Sequence, residues 1–87
     1  MKVIKRKKEL MRKSLTAVTV NIGKRGITNN LINEIKRQLK AKKVIKIRFA
    51  KTISTRKNEY LEEIIRKTGA SLVDLRGNTA VLFKNKN

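Results

Sequence analysis

Apolar positions fall along the chain in two rhythms, one helical and one alternating, and the switches between them mark its elements. Val3, Ile4, Leu10, Met11 and Leu15 share one side of a helix predicted over 2–14. Residues 17–22 alternate, with Val18, Val20 and Ile22 on one side and Ala17, Thr19 and Asn21 on the other, which is strand period. After Gly23-Lys24-Arg25-Gly26, Thr28 offers an N-cap for a helix to about Lys42, striped by Leu31, Ile32, Ile35 and Leu39. A second strand runs from about Lys43 to Ala50, pointing Ile45, Ile47 and Phe49 one way and Lys46 and Arg48 the other. Ser54 or Thr55 is expected to cap a helix to Thr68, with Leu61, Ile64 and Ile65 in the core and Gly69 ending it. Residues 70–76 and 79–84 read as strands joined at Gly77-Asn78, a hairpin signal.

The order is therefore α-β-α-β-α-β-β, an α/β chain of the two-layer α+β type. The first three strands are joined through helices, so parallel crossovers are expected between them. The last strand runs antiparallel to the third, which makes a mixed four-stranded sheet. With 87 residues there is room for one domain. The longest apolar run, Ala80–Phe83, is too short for a transmembrane helix or an export signal. A cytoplasmic location is expected.

Charge changes this picture. The chain holds 24 Lys and Arg against 6 Asp and Glu, a formal +18. Residues 1–57 carry 19 basic and 2 acidic residues, and residues 58–87 carry 5 and 4. An even solubilising coat would not divide so. A concentrated positive field suits a polyanion, and each cation set on a phosphate releases condensed counterions. Catalysis has little to work with. There is no His and no Cys, which removes thiol chemistry, histidine acid–base chemistry and zinc-finger sites. The acids are Glu9 and Glu34, each among cations on a helix, Glu59, Glu62 and Glu63 on the third helix, and Asp74 on a strand. The spacings on the third helix suit a solvated helix face better than an acid pair or a metal site. No catalytic residue, metal or cofactor is expected.

Gly23–Gly26 follows a strand and opens a helix, where free backbone N–H groups and the positive helix end face a ligand. Lys24 and Arg25 add two full charges. An ordinary tight turn is the other reading of two glycines three apart. The triphosphate-loop spacing G-x-x-x-x-G-K-[ST] is absent. Further candidate contacts are Lys46 and Arg48 on the second strand, Lys5, Lys8 and Arg12 on the first helix, and Lys36 and Lys40 on the second. Aromatics are scarce. Phe49 and Phe83 read as core and Tyr60 as a half-buried rim residue, so base stacking across the sheet is disfavoured and recognition should rest on backbone and shape.

The stretches "VNIGKRGITNNLINEIKRQLKAKKVIKIRF" and "LEEIIRKTGASLVDLRGNTAVLFKNK" resemble the CRM domain, named for chloroplast RNA splicing and ribosome maturation and found alone in YhbY-like proteins. The resemblance covers about residues 3–86 in four blocks: the "GKRGIT" unit, the "VIKI" strand, the helix ending in "TGA", and the final hairpin. It implies an RNA-binding domain with a fold similar to the C-terminal domain of bacterial translation initiation factor 3. It also implies RNA contact through Gly23, Lys24, Arg25 and Gly26. Single-domain members are associated with large-ribosomal-subunit precursors, multi-domain plant members with intron splicing. The expected partner is RNA, of ribosomal or pre-ribosomal origin, bound by a monomer. A DNA-coating chromatin-type protein and an intron-splicing cofactor are the alternatives. A membrane partner is not expected, because the basic first helix has few apolar residues and no lipidation motif accompanies it.

Overall fold

The computed structural model describes residues 11–12 and 17–84. Strand β1 (Thr19–Ile22) is followed by helix α1 (Asn29–Lys42), strand β2 (Val44–Phe49), a 3₁₀ turn (Lys51–Arg56), helix α2 (Lys57–Thr68) and the hairpin β3 (Ser71–Arg76) and β4 (Thr79–Phe83). Met11 and Arg12 are helical, as expected for the N-terminal helix. The rest of that helix, Lys5 and Lys8 included, lies outside the described residues.

Side-chain chemistry accounts for the helix ends. The Thr28 hydroxyl accepts from the Leu31 N–H at 3.1 Å, satisfying one of the free donors of the first turn. Gly69 ends α2 in the left-handed conformation, φ 75°, and its N–H donates to the Ile65 carbonyl at 2.8 Å. The Lys84 ammonium reaches the Thr68 carbonyl at the same helix end, at 2.7 Å. One expectation is corrected. Neither Ser54 nor Thr55 caps α2; the chain first winds a 3₁₀ turn, in which the Ser54 hydroxyl donates to the Lys51 carbonyl at 2.9 Å, and α2 starts from Arg56 with no side-chain cap. The 3₁₀ turn carries Ile53 into the core.

The sheet order is β1-β2-β4-β3. β1 and β2 are parallel neighbours, as their helical crossover predicts, and β4 is antiparallel to both β2 and β3. Thus β3 runs in the direction of β2 without touching it, because β4 inserts between them. One face carries the rows Val20–Ile47–Ala80–Leu75 and Ile45–Leu82–Leu72. Against it pack Ile32, Ile35 and Leu39 of α1, Ile53 of the 3₁₀ turn, and Leu61 and Ile64 of α2. Burying such side chains stabilises the fold by roughly 1.5–3 kcal/mol each. A bulge at Val73 reverses the strand's alternation, so that Leu72 and Leu75, three apart, both face the helices. Val73 turns to the second face, where it joins Val44 and Val81 in a smaller cluster touched by Met11, Ala17 and Phe83. The rows Thr19–Lys46–Val81–Asp74 and Asn21–Arg48–Thr79–Arg76 cross the sheet at the pleats that point to this second face.

Candidate nucleic-acid interface

The loop after β1 is a tight turn in which the Gly26 N–H donates to the Gly23 carbonyl at 2.9 Å. Lys24 and Arg25 occupy its exposed tip. Gly26 is buried and has φ 66°, a conformation that L side chains rarely adopt. A Cβ there would lie 3.3 Å from the Tyr60 ring. Glycine is thus favoured at this position by the backbone angle, and the aromatic ring laid across it leaves a Cβ only a tight fit. The Arg56 guanidinium stands 5.3 Å from the centre of that same ring, and its Nε donates to Glu59 at 3.2 Å. Tyr60 therefore braces the turn from α2, and its half-buried setting agrees with the rim position expected for it. A groove of about 410 Å³ opens at the loop, with Asn21, Lys24, Arg25, Thr28 and Asn30 among its walls.

Strand pairing collects more charge around this loop than the sequence spacing suggests. Because β1 and β2 are parallel, Ile22 and Phe49 sit side by side, and the Ala50 N–H donates to the Ile22 carbonyl at 2.9 Å. The β3–β4 turn reaches the same end, where the Phe49 N–H donates to the Asn78 carbonyl at 2.8 Å and the Lys57 ammonium donates to the Gly77 carbonyl. Lys24, Arg25, Arg48, Lys51, Arg56 and Arg76 consequently share one end of the sheet. The sequence does not single out Lys51, Arg56 and Arg76. No local pattern marks them, and only the pairing of β1 with β2 and of β2 with β4 brings them near the loop.

The other candidates divide by place. Lys46, half-buried, and exposed Arg48 lie on the second sheet face, as their alternation predicts. They line a groove of about 560 Å³ with Thr19, Lys51, Asn78 and Thr79. Lys36 and Lys40 are exposed on α1, a turn apart, on a stripe running back through Asn33 to Asn29 beside the loop. Arg37 on the same helix is held by Glu34, with Nη2 at 2.7 and 2.8 Å from its two oxygens, and the Gln38 amide donates to Glu34 at 3.0 Å. The Gln38 and Arg37 hydrogen bonds hold the Glu34 carboxyl below its ordinary 4.5. Arg12 is exposed, and Lys5 and Lys8 lie outside the described residues.

Among the described residues, Glu34, Glu59, Glu63 and Asp74 each meet a cation. Glu63 meets Lys67 at 2.9 Å, and Asp74 meets Arg76 at 2.7 Å. Among the described residues no group of three or more acids gathers to hold a metal, and no helix is long and apolar enough to cross a membrane. This is a cationic surface with neutral hydrogen-bonding residues between the charges.

Known proteins are similar to this chain in sequence and in fold. The chain is 33% identical over 63 residues to the protein named "Probable RNA-binding protein YqeI" of Bacillus subtilis (strain 168), a stretch that is 72% of this chain and 66% of that relative. Its fold matches the solution structure of SAV1595 from Staphylococcus aureus, described as a candidate RNA-binding protein, with a TM-score of 0.77 and 25% identity over 99% of this chain and 92% of that one. The model of the CRS1 / YhbY (CRM) domain matches residues 4–84, so both the glycine loop and the hairpin that completes its basic end fall within the match, and the chain belongs to the CRS1 / YhbY (CRM) domain family.

Proposed function

We propose that this chain is a non-enzymatic RNA-binding protein that grips structured RNA by its phosphates at the basic end of the sheet, in the assembly of the large ribosomal subunit. The observation that carries the reading is the braced turn. Gly26 at φ 66° under the Tyr60 ring holds Lys24 and Arg25 outward beside the start of α1. The turn leads directly into the N-terminal end of α1, where the helix dipole favours an anion such as a phosphate. Arg48, Lys51, Arg56 and Arg76 add further cations at the same end of the sheet. The family and the names of the relatives support RNA as the polyanion. The pairing of Glu34, Glu59, Glu63 and Asp74 with cations supports binding rather than acid–base chemistry.

The test is Lys24→Ala with Arg25→Ala, which removes two charges and leaves the glycine path intact. Loss of charge-assisted hydrogen bonds is expected to cost about 1.5–3 kcal/mol of binding, roughly ten- to 150-fold. The unfolding midpoint should not move. An unchanged affinity at equal salt would reduce the loop to a turn. The ribosomal assignment is checked separately: RNA crosslinked to the protein in cells should be enriched in large-subunit precursor sequences, and enrichment of intron RNA or of duplex DNA would replace it.

A further inference from the structure

The chain passes from α1 to β2 through a single residue, Lys43, and that residue is strained. Its φ is 68° and its ψ −37°, a region that suits glycine and that a residue with a Cβ enters only at a cost. Among the described residues it is the only non-glycine with a positive φ. Its backbone is fully engaged: the N–H donates to the Leu39 carbonyl at 2.8 Å, and the carbonyl accepts from the Lys84 N–H at 3.0 Å. Its side chain is exposed and buries nothing in exchange for the strain, and its ammonium meets no acid among the described residues. Glycine would hold the same turn with less strain; what lysine adds is a cation. We infer that Lys43 is a second phosphate contact, and that the RNA held at the glycine loop lies along the outer face of α1, gripped at both ends of the helix. The inference rests on the phosphate-gripping reading above and adds a contact and the course of the RNA.

Three observations set the course. The exposed residues Asn29, Asn33, Lys36 and Lys40 follow one another at spacings of four and three, and Lys43 is the next position of that stripe. The 14 residues of α1 carry it about 21 Å, from beside Lys24 and Arg25 to the opposite end of the sheet, where Val44 pairs with Phe83. The stripe is also free of negative charge. Glu34, the one acid on α1, is held by Arg37 and Gln38, whereas α2 carries Glu59, Glu62 and Glu63. Phosphates would therefore follow α1 rather than α2. Finally, the C-terminal dipole of α1 already has Lys40 and Lys42 in its last turn. It does not call for a third cation at a strained position.

Lys43→Gly is the decisive variant, because it should gain stability while losing affinity, and a folding defect cannot produce that pair. Its unfolding midpoint should rise as the strain is released. Its affinity for an RNA stem-loop of fixed sequence should fall roughly fivefold or more at 0.15 M salt, where charges farther than about 8 Å are screened. The slope of log K against log[salt] should lessen by about 0.7–0.9, the share of one phosphate. Lys43→Arg should bind as the parent does. Lys67→Ala, which takes the same unit of charge from a pair with Glu63, should leave affinity unchanged. Lys36→Ala with Lys40→Ala should weaken binding, and no loss there would overturn the course along α1. If Lys43→Gly keeps the parental affinity and slope while Lys24→Ala with Arg25→Ala weakens binding, the second contact is wrong and the loop reading stands. A lowered midpoint in Lys43→Gly would make the lysine a part of the fold, and an equal loss in Lys67→Ala would reduce the effect to net charge; either overturns the second contact. If the loop pair has no effect, both readings fall.

Discussion

At the residue scale, the two glycines of the loop are chemically alike and structurally different. Gly23 is exposed, its φ lies outside the left-handed region, and a Cβ there would meet nothing within 4 Å. Gly26 combines φ 66° with the Tyr60 ring 3.3 Å from where a Cβ would stand. Gly26→Ala is therefore expected to lower stability by about 1–2 kcal/mol from backbone strain alone, and Gly23→Ala to stay within about 0.5 kcal/mol of the parent, measured by urea unfolding. Tyr60→Phe keeps the ring and should retain both stability and RNA affinity, whereas Tyr60→Ala should loosen the turn. Lys43 is the opposite case, a non-glycine at φ 68° ending α1. Its strain of about 1–2 kcal/mol exceeds the added flexibility of glycine in the unfolded chain, so Lys43→Gly should raise stability by about 0.5 kcal/mol. The turn at Gly23–Gly26 was legible as a motif. Which glycine carries the strain was not, because that depends on a tyrosine 34 positions later in the chain meeting the loop in space.

At the element scale, α1 shows how local chemistry builds the scaffold behind the loop. Thr28 was legible as its cap, since a hydroxyl just before an apolar stripe has a nearby donor to satisfy. Thr28→Ala should cost about 1 kcal/mol by thermal or chemical unfolding. Further along, Glu34 has its pKa lowered by Gln38 and Arg37. A group with a depressed folded pKa contributes stability that is present above its unfolded pKa and lost as pH falls through the folded one. The contribution of Glu34 should thus disappear below the usual carboxylate range, and Glu34→Gln should show a smaller fall in Tm between neutral and acid pH than the parent. The start of α2 was not legible in the same way. Ser54 and Thr55 look like caps, yet burial of Ile53 in the core draws the preceding residues into a 3₁₀ turn, and tertiary packing outweighs a local hydrogen bond.

At the scale of the whole molecule, charge governs how the protein meets its partner. Engagement of about five to eight phosphates, each contributing roughly 0.7–0.9 to the slope, predicts log K falling with log[salt] at about −3.5 to −7. A nearly flat dependence would remove the electrostatic basis of binding. Residue order alone determined the run of strands and helices from β1 to β4, the parallel sense of the β1–β2 crossover, the mixed sheet and the location of most charge in the first 57 positions, because periodicity, caps and crossover geometry act over short or topologically constrained stretches. Only the tertiary structure decided that β4 would lie between β2 and β3. That choice buries the most apolar strand, whose Ala80, Val81 and Leu82 are all covered, on both sides of its backbone. It also carries the hairpin turn, with Arg76 beside it, to the loop's end of the sheet. Strand order answers to which edges are most costly to expose, a competition among distant segments that no local pattern records.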